Sequence, residues 1–227
     1  MKSLRQSLHK QDLLGLGIMV VLFAVFYLLF EEEILDDYWE TNVVLILINI
    51  IMSVSLNLIN GLTGQFSIGH AGFMAVGAYT SAIITVKLGM DFPIALIVAT
   101  VSAAFLGFLI GMPTLRLNGD YLAIATLGLG EIIRIAILNI DYVGGASGFM
   151  GIPRLTTFPI AFWITVFVVY FIKNFKNSAD GRACLAIREN EIAAETMGIN
   201  TTKYKVMAFT IGAGFAGTAG ALFSHYY

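Results

Sequence analysis

Residues 93–115, PIALIVATVSAAFLGFLIGMPTL, form a continuous apolar stretch without a charged side chain. A helix of about 20 such residues is long enough to cross the hydrocarbon core of a lipid bilayer. The composition agrees, since 58% of the 227 residues are hydrophobic and 12% are charged, whereas about a quarter are charged in soluble domains. We therefore exclude a fully soluble protein and predict an all-α, polytopic transmembrane helical bundle with a short cytoplasmic coupling helix.

Comparable stretches recur along the chain and predict a single transmembrane domain over residues 1–227. The seven predicted spans are residues 13–30, 41–59, 71–86, 93–115, 121–140, 158–172 and 206–227. A basic leader precedes the first span, but no small-residue cleavage site follows it. We therefore interpret this span as a retained helix rather than a signal peptide.

The distribution of charges predicts that the N-terminus lies in the cytoplasm. Residues 1–10 carry three Lys or Arg and no acid, whereas residues 31–40 carry six acids and no Lys or Arg. Residues 173–205 carry six Lys or Arg, and an even number of predicted spans separates them from the N-terminus. Since Lys and Arg are enriched in cytoplasmic loops, we predict that residues 173–205 form a cytoplasmic loop.

Small residues spaced four apart occur in two of the predicted spans and favour close helix packing. They are Gly107/Gly111, Ala213/Gly217 and Ala216/Gly220. Packing within the bundle is the simpler interpretation, and a dedicated dimer face is the alternative.

Residues 60–70, NGLTGQFSIGH, separate spans two and three with polar side chains and glycines. Irregular backbone at membrane depth is tolerated only where it is buried in protein or lines a cavity, and broken helices often form transporter sites. We therefore take Gln65, Ser67 and His70 as candidate translocation-pathway residues. An ordinary cytoplasmic loop and a re-entrant segment are the alternatives.

Glu131 and Arg134 lie inside the fifth span, three residues apart and therefore on one helix face. A lone charge at the bilayer centre costs about 2.5–3.5 kcal/mol on insertion scales. The two residues either line a polar pathway or form a structural ion pair within the helix. We favour the structural pair and keep both residues as pathway candidates.

The glycine-rich loop at residues 141–153 joins spans five and six on the predicted outer side. We include Gly144, Gly145 and Ser147 among the pathway candidates, because flexible backbone can bring N–H groups against a partner or solute. A plain glycine-rich turn is equally consistent with this composition.

Residues 181–200, GRACLAIRENEIAAETMGIN, predict one short charged helix between two apolar spans. Asp180 is the predicted N-cap and Gly198 the predicted C′ residue, and Arg188 and Glu191 form a predicted i,i+3 pair. The helix is too short and too charged to span a membrane. Its small apolar stripe suits a groove on a soluble partner, so we favour a docking helix over a solvated loop helix.

The segment EIAAETMGI resembles the EAA-type cytoplasmic loop of ABC importer permeases, with Ala193, Ala194 and Gly198 at the matching positions. The acid is displaced, since residue 192 is Ile and the acid is Glu191. Four ordered blocks resemble the branched-chain amino-acid ABC permease family, specifically its LivM-type members. They lie at residues 61–82, 116–134, 144–153 and 181–223.

The resemblance implies a permease subunit of an importer for branched-chain, hydrophobic amino acids in a bacterial or archaeal inner membrane. The implied partners are a second permease subunit, identical or not, two cytosolic ABC ATPases, an extracytoplasmic solute-binding protein and the lipid bilayer, with no nucleic acid. The implied ATPase-coupling residues are Gly181, Arg182, Ala186, Arg188, Glu189, Glu191, Ala193, Ala194 and Gly198. Family members usually continue through further spans, so we expect a C-terminally truncated chain.

No catalytic chemistry, cofactor or metal site is predicted. The sequence has no G-x-x-x-x-G-K-[ST] motif, so ATP hydrolysis is expected in a separate chain and not in this one. One Cys and three distant His residues form no ligand pattern. The alternative functions are a urea or short-amide ABC permease, a proton-coupled secondary transporter or channel gated by Glu131, and a non-transporting membrane scaffold.

Overall fold

The computed structural model describes residues 2–32, 34–115, 117 and 119–227, with side chains described at residue 15 and from residue 17 onward within these ranges. The helices are α1 Lys2–Glu31, α2 Asp37–Asn57, α3 His70–Ala82, α4 Phe92–Thr114, α5 Asp120–Leu138, α6 Phe158–Asn177, α7 Ala179–Glu189, α8 Glu191–Thr196 and α9 Thr201–Ser224. Two π-helical turns, Leu58–Leu62 and Ile83–Lys87, continue α2 and α3. All regular elements in these ranges are helical, which confirms the all-α prediction.

Among the residues that the structure describes, five helices are long and apolar enough to cross a membrane, which confirms the polytopic bundle. They are Asp37–Leu62, Phe92–Thr114, Asp120–Leu138, Phe158–Asn177 and Thr201–Ser224. The count of seven spans also includes α1 and α3 and stays a prediction. The sixth predicted span, residues 158–172, lies within α6, which continues to Asn177. Lys176 fits the last turn of this helix, since its long stem carries the charge toward water.

Helix α9 is the most deeply buried of the five and packs against α2, α3 and α4. The approach is close because glycines line it. A Cβ added to Gly77 of α3 would overlap the backbone of Gly217 in α9, and one added to Gly220 would overlap the backbone of Met74. A Cβ at Gly107 in α4 would similarly overlap the Ala213 side chain. These predicted small-residue positions therefore pack within this chain.

Helices α1, α2 and α6 form a second layer rich in larger side chains. Val44 and Ile48 of α2 and Val168 of α6 are buried in one core cluster. Phe23 of α1 stacks on Phe158 of α6, with ring centroids 5.9 Å apart. Contacts between large apolar and aromatic side chains stabilise this layer, whereas close packing of small residues stabilises the helices around α9.

The connections meet at two ends of the bundle. At one end, here called the α8 end, a cavity is lined by the segment after α2, the α4–α5 connection, the α7–α8 junction and the first turns of α9. At the opposite end the Lys87 ammonium lies 4.2 Å from the centroid of the Tyr142 ring. There Thr85 Oγ1 also lies 2.9 Å from His225 Nε2. The segment at 60–66 and the predicted cytoplasmic loop thus share one end.

Candidate functional site

The charged segment forms two helices, so the prediction of one helix over 181–198 is wrong. Asn190 adopts an extended conformation between α7 and α8, with φ −160° and ψ 108°. Its side-chain oxygen accepts a hydrogen bond from the Ala193 N–H, 3.0 Å away. Asparagine competes with helical hydrogen bonding in this way and starts a new helix instead.

The two ends of the segment differ in how well the sequence predicted them. Ser178, not Asp180, caps α7, because the Gly181 N–H donates to Ser178 Oγ at 3.1 Å. Asp180 lies in the first turn, where a carboxylate favours the helix dipole. The predicted C′ role of Gly198 is confirmed, with φ +85° and its N–H donating to the Glu195 carbonyl at 2.9 Å.

The α7–α8 region has a buried side and an exposed side. Gly181 and Ala194 are buried, and a Cβ at Gly181 would overlap the backbone at the end of α6. Ala193 is exposed, and Ile192 and Met197 are exposed to 76% and 83%. The remaining predicted coupling residues divide similarly, with Ala186 half-buried and Arg182, Arg188 and Glu189 exposed. Helix α8 and its C-cap residue therefore present a small apolar surface, here called the α8 surface, formed by Ile192, Ala193 and Met197.

Arg188 pairs differently from the prediction. Its guanidinium pairs with Glu189, with Nη2 to Oε1 at 2.5 Å, instead of with Glu191. The break at Asn190 takes Glu191 off the face of α7, which explains the error. Arg188 Nη1 also donates to the Gly61 carbonyl at 2.9 Å. This bond joins α7 to the π-helical turn that ends α2.

Glu191, the displaced acid of the motif, pairs with Lys205 of α9. Lys205 Nζ lies 2.5 Å from Glu191 Oε1, and only 7% of the Lys205 side chain is exposed. A lysine buried to this extent needs a partner, because an unpaired buried charge is strongly destabilising. Sequence reasoning missed this pair, since the two residues are on separate helices. The pair joins α8 to the central helix of the bundle.

Residues 63–69, here called the linker segment, run without regular structure from the turn after α2 to α3. Burial alternates along them, with Gln65 and Ser67 facing inward and Phe66 and Ile68 exposed. The Ile68 N–H donates to Thr126 Oγ1 of α5 at 3.1 Å. The polar side chains thus face the protein and the apolar ones face outward, the reverse of a solvated loop.

Several inward polar atoms of the linker segment and of His70, the first residue of α3, lack hydrogen-bond partners among the described residues. Ser55 Oγ of α2 lies 2.8 Å from His70 Nε2. The other ring nitrogen of His70, the Ser67 hydroxyl and both amide atoms of Gln65 have no hydrogen-bond partner within the described part of the chain. Buried polar groups are nearly always paired. Gln65 also lines the cavity of about 260 Å³ at the α8 end, together with Arg188 and Lys205.

Glu131 and Arg134 form the predicted ion pair within α5. Arg134 Nε donates to both carboxylate oxygens at 3.1 Å, and the two side chains are 52% and 67% exposed, respectively. They border a cavity of about 270 Å³ between α3 and α5. This cavity, here called the α3–α5 groove, also includes Ile68 and Gly69 of the linker segment.

Gly145 and Ser147 lie in a short 3₁₀ turn at the end of the bundle opposite to α8, and Gly144 separates it from a preceding 3₁₀ turn at Asp141–Val143. Gly144 has φ +88° and Gly145 φ +52°, conformations that favour glycine. The predicted pathway residues therefore occupy three places and not one. No group of three or more potential metal ligands occurs in the part of the chain that the structure describes.

Comparison with known proteins identifies the family. The sequence model of the branched-chain amino acid transport system permease component matches residues 38–227. The chain is 39% identical over 215 residues to the high-affinity branched-chain amino acid transport system permease protein LivM of Escherichia coli K12. That alignment covers 79% of this chain and 51% of the relative, so the chain spans about half the length of that relative.

Two further relatives are more distant. The probable branched-chain amino acid transport permease protein LivM of Methanocaldococcus jannaschii is 28% identical, over 78% of this chain and 64% of the relative. The protein LivH of Salmonella typhimurium, with the same transport system in its name, is 24% identical over 78% of this chain and 66% of its own length. No solved structure matches the chain.

These matches fit the architecture, since apolar helices packed around α9 make a multi-pass membrane protein. The match to the family model covers α2 to α9, including the α7–α8 region and the linker segment. The chain therefore belongs to the family of permease components of branched-chain amino acid transport systems.

Proposed function

We propose that this chain is a permease subunit of an ATP-driven importer and forms part of the translocation pathway for branched-chain amino acids. The names of its relatives support the substrate class. Similarity to proteins named LivM and LivH supports a pore built from two related permease subunits. The observation that carries the proposal is the α8 surface, which is exposed and apolar on a charged loop.

The α8 surface is the proposed docking site for an ABC ATPase. Ile192 and Met197 expose most of their apolar area, and an exposed apolar surface on a short helix can enter a hydrophobic groove on a partner. The helix behind them is fixed, because Ala194 is buried and Glu191 is paired with Lys205. Because α8 is held rigidly, a movement of the bound ATPase would be transmitted to the permease helices.

Two contacts would carry ATPase movement into the membrane. The Arg188 bond to the Gly61 carbonyl joins α7 to the end of α2 and the linker segment. The Glu191–Lys205 pair joins α8 to α9. When the ATPases close, both contacts move together. The linker segment and the central helix then shift, and access alternates between the two sides of the membrane.

The proposed orientation follows from this docking. The α8 end faces the cytoplasm with the N-terminus, and the chain lies in a bacterial or archaeal inner membrane. The opposite end carries Gly144, Gly145 and Ser147 and faces the extracytoplasmic solute-binding protein. ATP hydrolysis takes place in the partner ATPases.

The substitution Ala193→Trp tests the docking role. Ala193 is exposed, so the subunit accepts the larger side chain while the α8 surface loses its fit. In proteoliposomes containing the assembled importer, we expect leucine uptake to fall at least tenfold, with normal insertion of the subunit. Ala179→Trp is the matched control, because Ala179 is also exposed but begins α7 at its far end. Normal ATP-driven uptake by Ala193→Trp would contradict the docking role.

The same vesicles distinguish the energy source. Uptake that needs internal ATP and ignores an imposed proton gradient supports the importer. Uptake that follows the proton gradient without ATP supports a secondary transporter gated by Glu131. Uptake of urea in place of leucine would change the proposed substrate.

A further inference from the structure

We propose that the α3–α5 groove holds an aliphatic α-amino acid in transit, with Glu131 binding its ammonium group and Arg134 its carboxylate. The proposal rests on the proposed transport function and adds to it a binding position and a chemical basis for choosing the substrate. Three features of the groove carry the inference, namely the depth of its charges, the nature of its floor and the balance of its charge.

The charged pair lies in the second half of a membrane-spanning helix, with Arg134 four residues before the last residue, Leu138. Glu131 is the twelfth of the 19 residues of α5, about 16 Å along the helix from Asp120 at 1.5 Å per residue. Yet the Arg134 and Glu131 side chains are 67% and 52% exposed. Charged groups at this depth face a bundle interior or a water-filled cavity and not lipid. Their exposed side therefore belongs to a protein-lined path.

The floor of the groove is apolar and lies close to the backbone. It is formed by Ala71, Gly72 and Ala75 of α3 and by Leu127 and Gly130 of α5. A Cβ at Gly72 would lie 3.1 Å from Gly130 Cα, so the two helices approach closely there. With methyl groups and bare backbone as its walls, the floor suits a branched aliphatic side chain.

The size and the charge both match a small zwitterion. The groove has a volume of about 270 Å³, just below the range of roughly 300–1,000 Å³ found for drug-sized ligands. Glu131 and Arg134 together carry no net charge, and neither does an amino-acid zwitterion. Binding therefore exchanges one neutral set of ion pairs for another. Urea and short amides carry no ionic groups and gain less from the same two residues.

Thiol protection tests the site directly. The only cysteine of the chain is the buried Cys184, so Ala75→Cys introduces one reactive thiol in the groove. We would assemble the importer in proteoliposomes and measure labelling by a small thiol reagent with and without leucine. We expect saturating leucine to slow labelling about fivefold or more. Ile97→Cys, on the exposed face of α4, is the control and is expected to show no protection.

Analogues and charge variants identify what the site recognises. 4-Methylpentanoate, 3-methylbutylamine and urea, which lack one or both charged groups, are expected to protect weakly. Glu131→Gln and Arg134→Gln are expected to raise the leucine concentration for half-protection about tenfold, the effect of losing a charge-assisted hydrogen bond. Glu131→Asp keeps the carboxylate and is expected to retain protection, which separates ligand binding from a general loss of folding.

Two results would overturn the groove as a substrate site. One is leucine uptake by the Ala75→Cys importer with no leucine protection of its thiol. The other is labelling of Ala75→Cys in the isolated chain but not in the assembled importer, which would mean that the second subunit fills the groove. Absence of leucine uptake by an importer assembled from the unmodified chain would instead contradict the proposed function.

Discussion

Replacing Gly77 with Ala should separate α3 from α9, because no side chain can move to make room. The added Cβ would lie 2.6 Å from the carbonyl carbon of Gly217 and closer still to its oxygen and Cα, whereas real Cβ contacts are essentially never below 3.0 Å. Overpacking costs about 1–3 kcal/mol, and a backbone obstacle places this case at the upper end. The better helix propensity of Ala returns up to about 1 kcal/mol. The expected net loss is about 2 kcal/mol.

The assay is the thermal loss of helical circular dichroism of the purified chain in detergent. A loss of about 2 kcal/mol lowers the midpoint by roughly 4–8 °C for a domain of this size. Gly128→Ala is the matched control, because Gly128 lies inside α5 and a Cβ there meets nothing within 4 Å. We expect Gly128→Ala to melt at or above the wild-type temperature. Equal midpoints for Gly77→Ala and Gly128→Ala would refute the close packing of α3 on α9.

Residues at the α8 end of the bundle allow three further tests, on Cys184, on the Glu191–Lys205 pair and on Gly64. Burial raises the pKa of the Cys184 thiol to about 11, so maleimide at pH 8 should label this thiol about a hundredfold more slowly in the folded chain than in the denatured chain. The free energy of unfolding should fall as pH rises from about 9 to 11, because only the thiol of the unfolded chain ionises in that range. Glu191→Gln should lower the melting temperature more than Lys205→Met, because Glu191→Gln leaves the Lys205 ammonium, on a side chain only 7% exposed, without its partner. Equal shifts in melting temperature for the two variants would contradict this prediction. Gly64→Ala should reduce leucine uptake per ATP hydrolysed, because Gly64 has φ +70° and the new Cβ would lie 2.9 Å from Cγ of Arg188, which joins α7 to the end of α2. Gly89→Ala is the control, since Gly89 has φ +62° but open space around it, and should leave that ratio unchanged.

The helices could be predicted from sequence because their signal is local. Apolar stretches gave α4, α5 and α9 to within a few residues of their ends, apart from the polar first turn of α9. Helix α6 extends beyond the predicted sixth span, since its last turn is polar and an apolar stretch does not report it. Helix C-capping was also predictable at Gly198, where a left-handed residue is needed.

The site was less predictable because its contacts join distant residues. The Arg188–Gly61 hydrogen bond and the Glu191–Lys205 ion pair connect different helices. Residue spacing within a helix predicts contacts along that helix only, so it could not predict these two. The break at Asn190 had a local signal, an asparagine able to cap a new helix, but the choice of Asp180 and Gly198 as the two end residues favoured one continuous helix. The burial of Gln65 also depends on tertiary packing.

If the α8 surface binds an ABC ATPase, site-specific photo-crosslinking will capture that contact in the assembled importer. A photoreactive amino acid at Ile192, 76% exposed on α8, would be activated in membranes that contain the assembled importer, with Trp163, 43% exposed on α6, as the control position. We expect a crosslink from position 192 to the subunit that carries the ATP-binding P-loop, and none from position 163. Efficient activation at position 192 without any crosslink to that subunit would contradict this binding.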